Sequence, residues 1–151
     1  KDIEFALKET KKAGIETRAA IMVGNQGDTI EILESNIKKL KKLNPDIIQV
    51  TISTAIPGSQ LFTEAHANNK ILTYDWDKYE GNIQITKHEI LDFKILQKYY
   101  RKTYLKFYLR PSFILKTLFK TNSLLKIKLL FTGFISIFPI LTSSIFSKTK
   151  E

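Results

Sequence analysis

Gly24, Gly27, Asp28 and Thr29 are the residues whose types and spacing could do chemistry, inside the stretch TRAAIMVGNQGDT at positions 17–29. A mostly apolar run at 18–23 precedes them, the two glycines bracket a tight turn, and Asp28-Thr29 can open a helix. A strand that passes through a glycine turn into a helix aims backbone N–H groups and the positive helix end at one spot. That spot suits an anionic or polar ligand group. The same residues serve equally well as an ordinary βα turn with Asp28 as the helix N-cap. Other chemistries fit less well. No P-loop lysine follows the glycines, which argues against nucleoside triphosphate hydrolysis. His66 and His88 have no partner at ligand spacing and read as surface residues. Asp75, Asp77 and Glu80 beside Trp76 read as a solvated acidic loop rather than an acid/base pair. No serine stands in a nucleophile-elbow setting. The chain has no Cys, so by itself it offers no disulfide, no thiolate metal site and no cysteine-held cluster.

The elements that must position these residues can be read from periodicity. Ile3, Ala6 and Leu7, with Lys8, Lys11 and Lys12 opposite, predict an amphipathic helix that stops at Ala13-Gly14. Residues 17–23 predict a strand, and Ala19, Ala20, Ile21, Met22 and Val23 suggest burial on both faces. Ile30, Leu33, Ile37, Leu40 and Leu43 predict a helix over about 29–43, closed by Asn44-Pro45-Asp46. A second β-branched strand follows at 47–53. Helix, strand, helix, strand with short joints is the pattern of consecutive units in a parallel α/β sheet or barrel.

Thr54-Ala55-Ile56-Pro57-Gly58-Ser59 comes next, with Pro57-Gly58 a turn signal at the end of the second strand. In parallel α/β folds this turn and the Gly24–Gly27 turn share the C-terminal edge of the sheet, where ligands bind. Ser59 can cap a helix over 60–69 that turns Leu61, Phe62 and Ala65 inward, and an aromatic and acidic loop follows at 73–79. A further helix is expected over about 87–109, with Tyr100, Tyr104, Phe107 and Tyr108 on one stripe, broken at Arg110-Pro111-Ser112.

Five motifs in this order carry a resemblance. They are Ala13-Gly14-Ile15, the Gly24 to Thr29 turn, Leu43-Asn44-Pro45-Asp46, Pro57-Gly58-Ser59-Gln60-Leu61-Phe62, and Asp75-Trp76-Asp77-Lys78-Tyr79, trailed by the aromatic stretch YLKFYLRPS at 104–112. Over roughly residues 1–120 the chain resembles the back half of radical S-adenosylmethionine enzymes, in particular the branch with an N-terminal cobalamin-binding domain. It departs from that pattern where Asn25-Gln26 replaces an apolar residue and a proline, and where Asp28 replaces Glu. The resemblance implies an α/β fold: the last βα units of a partial TIM-type barrel at 1–86, followed by a basic helical extension at 87–151. It also implies a full-length enzyme using S-adenosylmethionine, a 4Fe-4S cluster and cobalamin, with the cluster cysteines and the cobalamin domain upstream. Reaction at the substrate would be methyl transfer or another radical modification, and this chain would supply one wall of the site. By the same resemblance Met22, Val23 and Gly24 would lie beside the adenine, Gly27 would allow close backbone approach, and Thr54, Ile56, Pro57 and Gly58 would border the substrate. No catalytic residue and no metal ligand is expected within the chain.

Charge divides the chain. Residues 1–86 hold 11 Lys/Arg against 12 Asp/Glu, whereas residues 87–151 hold 13 against 3, a net +10. The composition, 43% hydrophobic and 26% charged over 151 residues, is that of a folding chain long enough for a core. The chain opens at Lys1 inside a helical pattern, without an initiator Met or a signal peptide, as the back part of a longer protein would. Its first expected partner is therefore the missing N-terminal half. Eighteen residues at 129–146 carry no charge and are flanked by Lys126, Lys128, Lys148 and Lys150. Three readings stay open for that run: a segment in the interface of an anionic membrane, a tail packed on other parts of the protein, or a short span. The protein is expected in the cytoplasm, and the first reading would put it peripherally on the inner face of the membrane. The alternative function is a non-enzymatic α/β module anchored by this tail. Helical periodicity explains the aromatic and basic residues of 98–108 better than stacking on nucleic acid does.

Overall fold

Alternation and capping decide where the elements fall. In a computed structural model, which describes residues 2–120, the elements are α1 (Asp2–Lys12), β1 (Arg18–Val23), α2 (Ile30–Leu43), β2 (Ile47–Ile52), α3 (Gln60–Ala67), a 3-10 turn (Trp76–Lys78), α4 (Phe93–Tyr108) and α5 (Pro111–Lys120). The uncharged run at 129–146 lies outside the described residues. None of the described helices is long and apolar enough to cross a membrane.

β1 and β2 pair in parallel, from Arg18 opposite Ile47 to Val23 opposite Ile52. Among the described residues the sheet has these two strands and closes no barrel. Val23, Ile48, Val50 and Ile52 are buried on one face, and α2 contributes the buried Leu33, Ile37 and Leu40 to the core. The other face stays open. Burial alternates along β1, with Arg18, Ala20 and Met22 exposed, and Met22 keeps 49% of its surface accessible. The expected burial of this strand on both faces is thus not met by the described residues: an alternating strand needs a second layer, and α2 covers one side only.

At the N-terminal end of the sheet Thr17 and Asp46 lock the two strands together. Asp46 Oδ2 accepts from the Thr17 N–H at 2.9 Å and from its hydroxyl at 2.7 Å, while the Asp46 N–H donates to Thr17 Oγ1 at 3.1 Å. The outer edge of β2 meets side chain and loop instead of a third strand. Tyr104 of α4 places its hydroxyl 3.0 Å from the Val50 nitrogen, and the Ile52 N–H donates to the Gly81 carbonyl at 2.6 Å. Both contacts satisfy ladder groups that an edge strand would otherwise leave bare.

α2 starts at the N-cap Thr29, whose side chain accepts from the Ile32 N–H, and not at Asp28. It ends at Asn44 in the left-handed region, immediately before Pro45. α3 starts at the expected cap, Ser59, with Ala65 buried. α4 begins later than expected, at Phe93, because Asp92 caps it by accepting from the Ile95 N–H at 2.7 Å. Its buried positions are Leu96, Tyr99, Thr103 and Phe107, so of the aromatic stripe read in the sequence Phe107 is buried while Tyr100, Tyr104 and Tyr108 are half-buried. Tyr99 and Lys102 both hydrogen-bond Glu34 of α2, and these bonds hold the Glu34 carboxyl below the usual carboxylate range.

Two compact units divide within α4, one ending at Tyr104 and the other starting at Leu105. In the second, Phe107, Tyr108 and Phe113 pack ring on ring at 5.1 to 5.6 Å, and the Arg110 guanidinium lies 4.1 Å from the Phe107 ring centre. Pro111 opens α5, a position where its missing N–H costs nothing.

Candidate functional site

The β1–α2 turn is built around a buried carboxylate. Asp28 is 6% exposed, and its Oδ2 accepts from the N–H groups of Gly24 and Asn25, each at 2.9 Å. The Asp28 N–H in turn donates to the Asn25 carbonyl at 3.0 Å. This closes the turn and changes its chemistry. The N–H groups that could have met a ligand anion are bound to the protein's own carboxylate, so the Gly24 and Asn25 amides are not an anion cradle.

Both glycines sit at φ +79°, a conformation that side chains rarely adopt. Their surroundings differ. A Cβ on Gly24 would come within 2.8 Å of Leu96 Cδ2, so α4 packs directly against the turn. A Cβ on Gly27 would meet nothing within 4 Å, which leaves that backbone open to an approaching group.

Beside the turn is a cavity of about 320 Å³, lined by Gly24 and Gly27, by Ser53 at the end of β2, by Glu64 of α3, and by Thr86 and His88. This volume is at the lower end for small-molecule sites. Thr86 Oγ1 is buried there with no hydrogen-bond partner among the described residues. Lys70 pairs with Glu89 on the same wall at 2.7 Å.

The residues singled out in the sequence are distributed unevenly. Gly24 and Gly27 line the cavity. Val23 is buried, 3% exposed, with its carbonyl accepting from the Ser53 N–H at 2.8 Å, while Met22 lies on the open face of the sheet. Thr54, Ile56, Pro57 and Gly58 do not line the cavity. Their loop leaves from the same C-terminal edge, with the Thr54 hydroxyl bonded back to the Ile52 carbonyl at 3.0 Å, Gly58 at φ +85° and Ile56 61% exposed. The reading of the acidic loop resolves into a capped 3-10 turn: Asp75 accepts from the Asp77 N–H and pairs with Lys78 at 3.0 Å. His66 is exposed, its Nδ1 2.7 Å from the Tyr74 hydroxyl. Among the described residues no group of three His, Asp or Glu is placed to hold a metal ion.

His88 is not the surface residue that its sequence setting suggests. It is half-buried, and its Nε2 lies 2.8 Å from the Asn25 carbonyl, 63 residues away. Spacing in the chain carries no trace of such a contact.

The chain is 37% identical over 115 residues to an uncharacterized methyltransferase of Pyrococcus horikoshii, which covers 76% of this chain and 25% of that protein. It is 30% identical over 109 residues to the anaerobic magnesium-protoporphyrin IX monomethyl ester cyclase of Rubrivivax gelatinosus, covering 72% of this chain and 19% of the cyclase. It is 23% identical over 121 residues to the bacteriochlorophyllide d C-8(2)-methyltransferase of Chlorobaculum tepidum, covering 80% and 27%. Its relatives are methyltransferases and a cyclase. The chain spans about a quarter of the length of the curated relatives it matches. No family model matches it, and no solved structure does.

Proposed function

We propose that this chain is a late part of a radical S-adenosylmethionine enzyme, the last βα units of a partial barrel, acting in methyl transfer or a related radical modification. The observation that carries this reading is the pairing of two features. Two parallel strands end in glycine turns at one sheet edge, and the chain that builds them is similar to an uncharacterized methyltransferase over 115 residues and to a second methyltransferase over 121. In such folds the C-terminal edge is where the ligand sits.

The proposed roles follow the placement. Met22, on the open face, together with Val23 and Gly24, would lie beside the adenine. Gly27, with open space at its Cβ position, would admit the adenosyl group closely. Thr54, Ile56, Pro57 and Gly58 would border the substrate. Two relatives are named for magnesium-protoporphyrin IX monomethyl ester and bacteriochlorophyllide d, and the exposed Ile56 suits a substrate of such large apolar surface. A 4Fe-4S cluster does not fit the residues of this chain, which has no Cys, so its ligands are assigned to the remainder of the protein, as is a cobalamin domain. S-adenosylmethionine, when bound, supplies the methyl or adenosyl group. This chain's own share is to bind, to orient and to shield the site from water.

The test is anaerobic reconstitution with iron and sulfide, followed by titration with S-adenosylmethionine. Full-length protein should hold a cluster and bind the ligand, whereas the 151-residue chain alone should hold no iron. Stoichiometric iron and sulfide in the chain alone, with the absorbance of a cluster, would refute the proposal.

A further inference from the structure

The imidazole of His88 makes three hydrogen bonds that tie two segments together. Its Nε2 faces the Asn25 carbonyl at 2.8 Å, and a carbonyl only accepts, so Nε2 carries the proton. Its Nδ1 faces the N–H groups of Ile90 and Leu91 at 3.1 and 3.0 Å, so Nδ1 is the acceptor. These partners select the tautomer with the proton on Nε2 and use both ring nitrogens. On one side lies the glycine turn, and on the other a segment anchored by Leu91, which is 2% exposed.

We infer that His88 is a positioning residue for the ligand-facing turn, acting through Asn25, and that it tunes the affinity of the site for S-adenosylmethionine. This inference rests on the proposed reading of the turn. Three contacts bear on the turn from three directions. Asp28 closes it from within, Leu96 packs against Gly24, and His88 holds the Asn25 carbonyl from the cavity side. Leu96 packs on Gly24, and Asp28 holds Gly24 and Asn25 from within. The His88 bond reaches the middle of the turn, one residue before Gln26-Gly27. Without it the Asn25 carbonyl keeps the Asp28 N–H, so the turn stays folded but its cavity wall is free to shift.

Two substitutions separate this role from plain stability. The side-chain oxygen of His88→Asn stands about where Nδ1 stands, so it keeps the acceptor for Ile90 and Leu91 and drops the tether. The amide nitrogen of His88→Gln reaches about as far as Nε2, so it keeps the tether and drops the acceptor. Melting temperature and S-adenosylmethionine affinity are measured on the reconstituted full-length protein for both variants and the wild type. The expected result is a crossing. His88→Asn melts near the wild type but binds about fivefold to tenfold more weakly, the scale of one lost hydrogen bond. His88→Gln melts lower but binds within about twofold of the wild type. Affinities that follow melting temperature, or that are equal in the two variants, overturn the inference while leaving the site reading standing. A wild-type protein that binds no S-adenosylmethionine overturns both.

Discussion

Two glycines three residues apart do different work. Gly24 and Gly27 share φ +79°, so alanine at either position must adopt a left-handed conformation, at a cost of about 1–2 kcal/mol. Only Gly24 also faces a neighbour, with Leu96 Cδ2 at 2.8 Å from where a methyl would sit. Gly24→Ala is therefore expected to destabilise by about 2–4 kcal/mol, against about 1–2 for Gly27→Ala. Denaturant unfolding of both variants checks this, and equal costs would contradict the packing described here. The glycine pair itself was plain in the sequence, because a turn between an apolar run and a helical period demands such residues. What Asp28 does was not. Its one-residue offset from the true cap, Thr29, frees the carboxylate to turn back onto Gly24 and Asn25, and cap and turn-closer look alike in one dimension. His88 was hidden for a different reason: its partner is 63 residues away and is a backbone carbonyl, which has no sequence identity.

At the scale of elements, helical and strand periods were legible wherever local propensity and burial agree. α2, β2 and α3 fall where Leu33, Ile37, Leu40, the β-branched run and Ser59 put them. α4 shows where agreement fails. Lys87 to Leu91 suit a helix by composition, but Asp92 caps later and His88 accepts the Ile90 and Leu91 N–H groups, which holds them out of the helix. The buried stripe of α4 also runs through Tyr99 and passes beside Tyr100, Tyr104 and Tyr108. Tyr104 uses its hydroxyl to block the edge of β2, and Tyr100 packs edge-to-face on Tyr104 at 5.3 Å. Burial, helped by the neighbouring Tyr104, pushes the Tyr100 phenol up to about 12. A pKa raised in the folded state means that the contribution of Tyr100 is fully present below the ordinary value of 10.0 and is lost as pH rises toward about 12. Stability should therefore fall between those limits, and Tyr100→Phe should flatten that fall. Urea midpoints across the alkaline range measure it. A variant with the wild-type alkaline slope would show that Tyr100 ionises as if in water.

For the whole molecule, the open face of a two-stranded sheet is the governing fact. Ala20, Met22 and Gln49 stay exposed, with only the Gly81 loop coming up against Thr51 on that face, and among the described residues β1 keeps one edge unpaired by any other strand. A parallel sheet is ordinarily covered on both faces, so what covers this one belongs to the account of function. The order of helices, strands and edge turns was enough to suggest a parallel α/β arrangement with a ligand edge, and the five motifs in order carried the resemblance to an enzyme family. The cavity between the turn, α3 and residues 86–89 was not foreseeable, because it depends on a bridge between Ile71 and Thr86 that no short-range pattern announces. The central claim is that the Gly24–Gly27 turn is a wall of an S-adenosylmethionine site. The most direct measurement is consumption of S-adenosylmethionine by reduced, reconstituted full-length protein, with Gly27→Val as the comparison, since space is open at that Cβ and the new side chain would enter the proposed ligand's place. The account predicts turnover by the wild type and at least about a tenfold loss in the variant, beyond what a strained residue costs in stability. Wild-type protein that leaves S-adenosylmethionine intact, or a folded Gly27→Val variant that consumes it at the wild-type rate, would contradict the claim.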